Sequence, residues 1–198
     1  MIEIQSYFPS LIGYAFNKNH DIYKDKLINE CFEIKDKVAK GGNNWLSQNT
    51  YNTLSTYNLL ENKNFLPIQN FIIESVNEYC DQLKIDKSNL NLRPSYGWFN
   101  IYYRYDYQEF HIHGDSMIST IYFLKCNDKS AKLIFKSTIN EMSKIKFKEP
   151  SQLTFKDISI LPQPGLLIIF DSSLQHCVEQ HLSDQPRISL AYNFKELR

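Results

Sequence analysis

The stretch 164-PGLLIIFDSSLQHCVEQHLSDQPRISLAYNF-194 contains two strand-like runs joined by a polar segment with two histidines. The first run, residues 166–170, is apolar and follows the turn-forming pair Pro164-Gly165. The second run, residues 187–194, is rich in the β-branched and aromatic residues that favour strands. No helical period is long enough for a crossover helix between them, so the two runs predict antiparallel strands.

The sequence before this stretch continues the same pattern back to Pro94. Four further runs have strand character and are separated by turn-forming residues at intervals of about ten to twenty residues. They are WFNIYYRY (98–105), SMISTIYFLK (116–125), AKLIFKS (131–137) and LTFKDISIL (153–161). Residues 91–198 are therefore expected to form an antiparallel sandwich or barrel.

Residues 1–90 are expected to be mainly helical support for this β-rich half. Residues 20–42 carry apolar side chains at helical spacing, with Asp21 as an N-terminal cap and Gly41-Gly42 as the stop. Residues 66–85 form a second amphipathic stripe, with Pro67 in its first turn. The segment 43–61 between them is predicted as an irregular loop with at most a short strand. The whole chain is predicted to be one α+β domain, with the helices packed on the larger sheet.

Composition excludes several classes of protein. The chain has 198 residues, and its 22 basic and 22 acidic side chains give a formal net charge of zero. No basic stripe predicts a nucleic-acid partner, and no apolar run approaches the ~20 residues of a membrane span. The four cysteines are widely spaced, which argues against a zinc ribbon. The first residues lack the character of a signal peptide, so a cytoplasmic location is expected.

Three of the five histidines are candidate metal ligands. His111 and His113 lie in EFHIHGDSM (109–117); in an extended chain they would share a face, about 6.6 Å apart. His176 follows the buried strand 166–170 and can supply a third imidazole from another strand. Asp115 makes His113-Gly114-Asp115 an H-x-D motif, so two ligand sets compete: His111, His113 and His176, which we favour, or His113, Asp115 and His176. Either set, with open coordination positions, suits non-haem iron.

Arg187 and Ser189 form a candidate anion site. Arg187 lies eleven positions after His176, at the start of a predicted strand, and Ser189 projects to the same face. A guanidinium fork binds a carboxylate, and the hydroxyl adds a donor. The pair predicts a binding site for a dicarboxylate. The alternative is that Arg187 lies at the surface and forms an ion pair with Glu179 or Asp184.

Taken in order, these segments resemble the Fe(II)- and 2-oxoglutarate-dependent oxygenases, most closely a group of small phage and bacterial enzymes. The likeness runs through HIHGDSMISTIYFLK, PQPGLLIIFDSSLQHCVEQHLSDQPRISLAYNF and, more loosely, WFNIYYRYDYQEF, which together span about residues 96–194. It implies a double-stranded β-helix, or jelly roll, that binds Fe(II), 2-oxoglutarate and O2.

The resemblance also implies roles for single residues. By this mapping His111 and His176 are metal ligands, and His113 stands where the family usually has an acid. Arg187 and Ser189 would hold the C5 carboxylate of 2-oxoglutarate. Further candidates for the cosubstrate pocket are Tyr103, Tyr105, Tyr122 and Asn100, with Asn193 as another polar wall residue.

The activity implied is hydroxylation of an unidentified substrate, a small molecule or a protein side chain. Two alternatives remain: a cupin-like metalloprotein that does not use 2-oxoglutarate, and a non-catalytic jelly-roll binding module. Jelly-roll proteins often form homodimers, but no stretch of this sequence marks an interface.

Overall fold

The fold is known from a computed structural model, which describes residues 2–5, 9–42, 44–88, 90–137 and 144–196. Helix α1 spans His20–Lys37 and helix α2 spans Leu66–Gln82, close to the predicted helices. Pro67 lies in the first turn of α2 as expected. Asp21 does not cap α1: it lies inside the first turn, and its carboxylate pairs with Lys24 at 2.6 Å. In the described part of the chain, no helix has the length and apolar character needed to cross a membrane.

Ten strands form two antiparallel sheets within the described residues. In chain order they are β1 (Ile12–Phe16), β2 (Tyr51–Asn52), β3 (Leu92–Tyr102), β4 (Gln108–His111), β5 (Ile118–Lys125), β6 (Leu133–Lys136), β7 (Asp157–Ile160), β8 (Leu166–Asp171), β9 (His176–Val178) and β10 (Arg187–Glu196). The major sheet has the order β1-β8-β5-β10-β3-β2, and the minor sheet has the order β4-β9-β6-β7. These two facing sheets confirm the predicted α+β jelly roll.

The N-terminal ninety residues contribute more than helices. Strand β1 pairs with β8 at one edge of the major sheet, and β2 pairs with β3 at the other edge. The sequence of β1, IGYAF, is short and contains glycine and alanine, so its strand signal is weak. Strand β3 begins earlier than predicted and includes Pro94, next to a register shift between Asn193 and Phe194 of β10. A proline can be accommodated at such an irregularity because it cannot donate to the ladder.

Side chains of the major sheet alternate between two environments. On one face, apolar residues of β3, β5, β8 and β10 pack under α1 and α2, with Leu27 and Ile72 among the helical partners. On the other face, side chains point between the two sheets, where Phe123, Phe170 and Phe135 form a second core. Strand β10 thus places Ile188 in the helix-side core and its neighbours Arg187 and Ser189 on the inner face.

Gly97 in β3 offers a test of this packing. A Cβ at Gly97 would overlap the ring of Tyr192, which is fully buried under the helices. Gly97→Ala should therefore lower the free energy of unfolding by about 1–3 kcal/mol, the usual cost of overpacking. Urea unfolding followed by circular dichroism measures this loss. Gly114→Ala is the matched control: a Cβ there has no atom within 4 Å, and we expect a change below ~0.5 kcal/mol. Equal stability of the two variants would contradict the packing described.

Candidate metal and cosubstrate site

Three histidine rings converge between the two sheets. His111 ends β4 and His176 begins β9, and these two residues are direct partners in the antiparallel register. His113 lies two residues beyond the end of β4. The ring centroids are 4.3 Å apart for His111 and His176, 5.2 Å for His111 and His113, and 5.0 Å for His113 and His176. One ring nitrogen from each lies within 4.8 Å of the other two, which is close enough to share one metal ion.

Hydrogen bonds fix which nitrogen of each ring is available. His111 Nδ1–H donates to the backbone carbonyl of Glu109 at 2.8 Å, and His176 Nδ1–H donates to that of Leu174 at 2.9 Å. His113 Nδ1 lies 2.8 Å from the amide oxygen of Asn193. Because carbonyl oxygens only accept hydrogen bonds, the rings of His111 and His176 carry their proton on Nδ1 and leave the Nε2 lone pair free; the same holds for His113 when its Nδ1–H donates to Asn193. This is the arrangement expected of histidines that bind metal through Nε2.

Burial keeps these imidazoles neutral. It lowers the pKa of His113 to about 4, and the neighbouring His111 lowers it further in the same direction. Burial likewise holds the pKa of His176 well below its ordinary value and lowers that of His111. A neutral imidazole is the form that binds a metal, and a set of nitrogen ligands suits Fe(II) among other divalent ions. The donor set therefore fits iron.

Asp115, the alternative ligand, lies apart from this cluster. Its side chain is exposed at the rim of the cavity and is not among the groups whose ligand atoms converge. The geometry thus supports the set of three histidines over the set that includes Asp115.

The histidines open into a cavity of about 690 Å³. Its walls include four aromatic side chains besides the histidines: Trp45, Tyr96, Trp98 and Tyr102. Trp45 comes from the irregular segment after α1, which is tied to β4 because the Glu109 carboxylate accepts hydrogen bonds from Leu46 N at 2.7 Å and Ser47 Oγ at 3.0 Å. The segment therefore forms part of the wall beside the histidines.

Arg187 lies in the wall of the same cavity and is fully buried. The rings of Tyr102 and Phe123 pack on its guanidinium, with centroids 4.7 Å and 5.1 Å from Cζ. Among the described residues, none of the three guanidinium nitrogens has a well-formed hydrogen bond, and Tyr102 is the side chain that interacts with the guanidinium most strongly. Burial lowers the pKa of Arg187, but a guanidinium stays protonated in proteins. A buried cation of this kind is costly unless an anion pairs with it.

The alternative of a surface ion pair for Arg187 is wrong. Asp184 pairs instead with Arg104 at 2.6 Å, and the Glu179 carboxylate accepts from the backbone N–H of Lys132 at 2.9 Å. Arg187 itself has no exposed surface. Within the described residues, no carboxylate forms a salt bridge with it.

Residues 96–193 match the model of the family described as "Putative 2OG-Fe(II) oxygenase". The chain belongs to this oxygenase family. It is therefore an oxidoreductase whose family uses Fe(II), 2-oxoglutarate and O2. No curated protein matches the sequence.

Solved structures share the fold of this oxygenase at low sequence identity. A prolyl-4-hydroxylase from Pseudomonas putida has a TM-score of 0.63 at 13% identity, covering 96% of this chain and 94% of its own. The collagen prolyl hydroxylase of Paramecium Bursaria Chlorella virus-1, in a 2OG complex, has a TM-score of 0.59 at 14% identity, covering 93% and 96%. A carbocyclase of nogalamycin biosynthesis has a TM-score of 0.64 at 7% identity, covering 94% and 80%.

Three tyrosines predicted to line the cosubstrate pocket of the oxygenase do not reach it. Tyr122 faces the helix-side core, where its hydroxyl lies 2.7 Å from His20 Nδ1 and its ring contacts Phe71. Tyr103 and Tyr105 follow the end of β3 and are exposed. Asn100 and Ser189 do line the cavity, as direct partners across β3 and β10.

Strand alternation explains these differences. Asn100 faces the cavity, so in the same strand Trp98 and Tyr102 share its face and residue 103 cannot. Likewise Ser119 of β5 points inward, which sends Tyr122 to the opposite face. Three residues of the site were not predicted from the sequence: Trp98, Tyr102 and Ser119. The first two could have been predicted, because they lie two residues before and two residues after Asn100 and therefore share its face of β3.

Proposed function

We propose that this oxygenase is a hydroxylase that couples oxidation of 2-oxoglutarate to oxidation of a substrate C–H bond. One observation carries the proposal: three free Nε2 atoms and one buried, unpaired guanidinium face a single cavity. A buried arginine without an anionic partner is costly, so its presence in the wall of this cavity supports an anionic ligand such as the carboxylate of 2-oxoglutarate.

The residues have distinct roles in this proposal. His111, His113 and His176 hold Fe(II) through Nε2. Arg187 binds the distal carboxylate of 2-oxoglutarate as a charge-assisted pair, with Ser189 and Asn100 beside it. Iron, when bound, supplies the O2 chemistry that converts 2-oxoglutarate to succinate and CO2 while the substrate gains a hydroxyl group.

The cavity supports a substrate of modest size. Its volume of about 690 Å³ is within the range of small-molecule sites, and it also accommodates a protein side chain. Trp98 Nε1 is buried in this wall and has no hydrogen-bond partner among the described residues, so a substrate with an acceptor atom would satisfy it. Both the prolyl hydroxylases and the carbocyclase share the fold, so the fold does not choose between a peptide and a small molecule.

The proposal predicts a defined spectroscopic result. Adding Fe(II) and then 2-oxoglutarate to the protein without oxygen should produce the weak visible charge-transfer band of an iron-chelated 2-oxo acid. Succinate should then form when O2 is admitted. Iron binding without the band would favour the cupin-like alternative, and no iron binding would favour a non-catalytic module.

A further inference from the structure

His113 differs from the other two histidines in what holds its ring. His111 and His176 donate to backbone carbonyls two residues before them, which any sequence would provide. His113 Nδ1 instead lies 2.8 Å from two side-chain oxygens, Asn193 Oδ1 of β10 and Ser119 Oγ of β5. Its orientation therefore depends on specific side chains of the opposite sheet.

These side chains form a connected network across the major sheet. Ser119 and Asn193 are direct partners in the register of β5 and β10, and Ser119 Oγ–H donates to Asn193 Oδ1 at 2.9 Å. Ser119 Oγ also lies 2.8 Å from Ser172 Oγ, just beyond the end of β8. The backbone carbonyl of Ser172 accepts from the backbone N–H of His113 at 2.9 Å. Both serines are fully buried, so water does not compete for these bonds.

The hydrogen bond from Ser119 Oγ–H to Asn193 Oδ1 favours one tautomer of His113. When Ser172 Oγ–H donates to Ser119, and Ser119 Oγ–H donates to Asn193, the Asn193 oxygen has one further lone pair for a donor. His113 can donate a hydrogen bond to this lone pair of Asn193 Oδ1 only when its Nδ1 carries a proton. The opposite tautomer would set the Nδ1 lone pair against Asn193 Oδ1 or require Ser119 Oγ–H to turn from Asn193 to Nδ1, and it would put a proton on Nε2, where the metal must bind.

From this network we propose that Asn193, supported by Ser119 and Ser172, is a positioning residue that makes His113 a metal ligand by holding its Nδ1–H tautomer. The inference rests on the metal site of the proposed function. It accounts for an imidazole at a position that the resemblance assigns to an acid. Unlike an acid, an imidazole binds through one selected nitrogen, and the network makes that selection.

The decisive experiment compares Asn193→Ala with Asn193→Asp. Asn193→Ala should weaken the binding of Co(II), a spectroscopic probe of the iron site, by about 10- to 100-fold, the usual effect of losing an outer partner of a ligating histidine. Asn193→Asp keeps an acceptor and should retain the wild-type affinity or exceed it. Ser119→Ala, which leaves the asparagine in place, should give a smaller loss. Asn64→Ala is the matched control, because Asn64 hydrogen-bonds Glu30 at 2.8 Å and does not line the cavity.

A second measurement distinguishes a change in the His113 tautomer from a general loss of folded structure in the Asn193 variants. Long-range ¹H–¹⁵N spectra of the metal-free protein report the tautomer of each histidine. We expect His113 to be protonated on Nδ1 in the wild-type protein and in Asn193→Asp, and to gain the Nε2–H form in Asn193→Ala. Unchanged Co(II) affinity and an unchanged His113 tautomer in Asn193→Ala would overturn the inference. Failure of the unaltered protein to bind Co(II) would overturn the proposed metal site instead, while the tautomer would still decide the role of Asn193.

Discussion

Replacing His176 with alanine is expected to reduce the affinity for Fe(II) by more than about 100-fold, beyond the loss expected for an outer partner. The physical reason is that His176 is the most buried of the three ligands and lies on β9, between β4 and β6 of the minor sheet and directly opposite His111. Two imidazoles without the third leave the ion with too few protein ligands. Anaerobic titration with Fe(II), followed by succinate release in air, measures both binding and turnover.

Asp115→Asn is the matched comparison for His176→Ala. It removes a carboxylate that the competing ligand set would require, although the structure places this group at the rim of the cavity. We expect Fe(II) affinity to stay at the wild-type level. A loss comparable with that of His176→Ala would restore the set of His113, Asp115 and His176. Full activity of His176→Ala would refute both sets.

Replacing Arg187 with methionine is expected to weaken 2-oxoglutarate binding by about 30-fold to several thousand-fold, the range that corresponds to losing a buried charge pair worth about 2–5 kcal/mol. Methionine keeps an unbranched apolar side chain against the rings of Tyr102 and Phe123. Fe(II) affinity without 2-oxoglutarate should not fall, because the guanidinium repels the cation. Titration with the iron-loaded protein, monitored by the charge-transfer band, gives the dissociation constant.

The same substitution should leave the metal-free protein at least as stable as the wild type, since it removes a buried cation that no carboxylate of the described residues neutralises. Thermal unfolding without ligands measures this. Arg104→Met is the control: it removes an exposed arginine paired with Asp184, and both stability and 2-oxoglutarate affinity should change little. If Arg187→Met lost stability and kept its affinity for 2-oxoglutarate, Arg187 would be structural, as the cupin-like alternative requires.

The sequence predicted the jelly roll and placed three histidines and Arg187 where the structure brings them together. Those positions follow from local rules: alternation along a strand and turns at its ends. The predicted pocket role of Tyr122 is wrong, because the residue type alone does not give the face of the sheet that strand alternation assigns to a side chain. The bonds from Ser119 and Ser172 to the site could not be predicted, since they depend on which strands become neighbours. Strand order is a long-range property that no local pattern contains.

The strand order also has a consequence for how the protein is made. β10 follows all the other described strands in the chain, yet it lies between β5 and β3 near the centre of the major sheet. During synthesis, β3 and β5 therefore emerge with the edges that β10 will occupy still unpaired, and such edges invite pairing with other chains. Because these contacts are distant in sequence, their formation is expected to be slow. Nascent chains that stall before residue 187 should accordingly be prone to aggregation, and correct folding should depend on prompt release of β10.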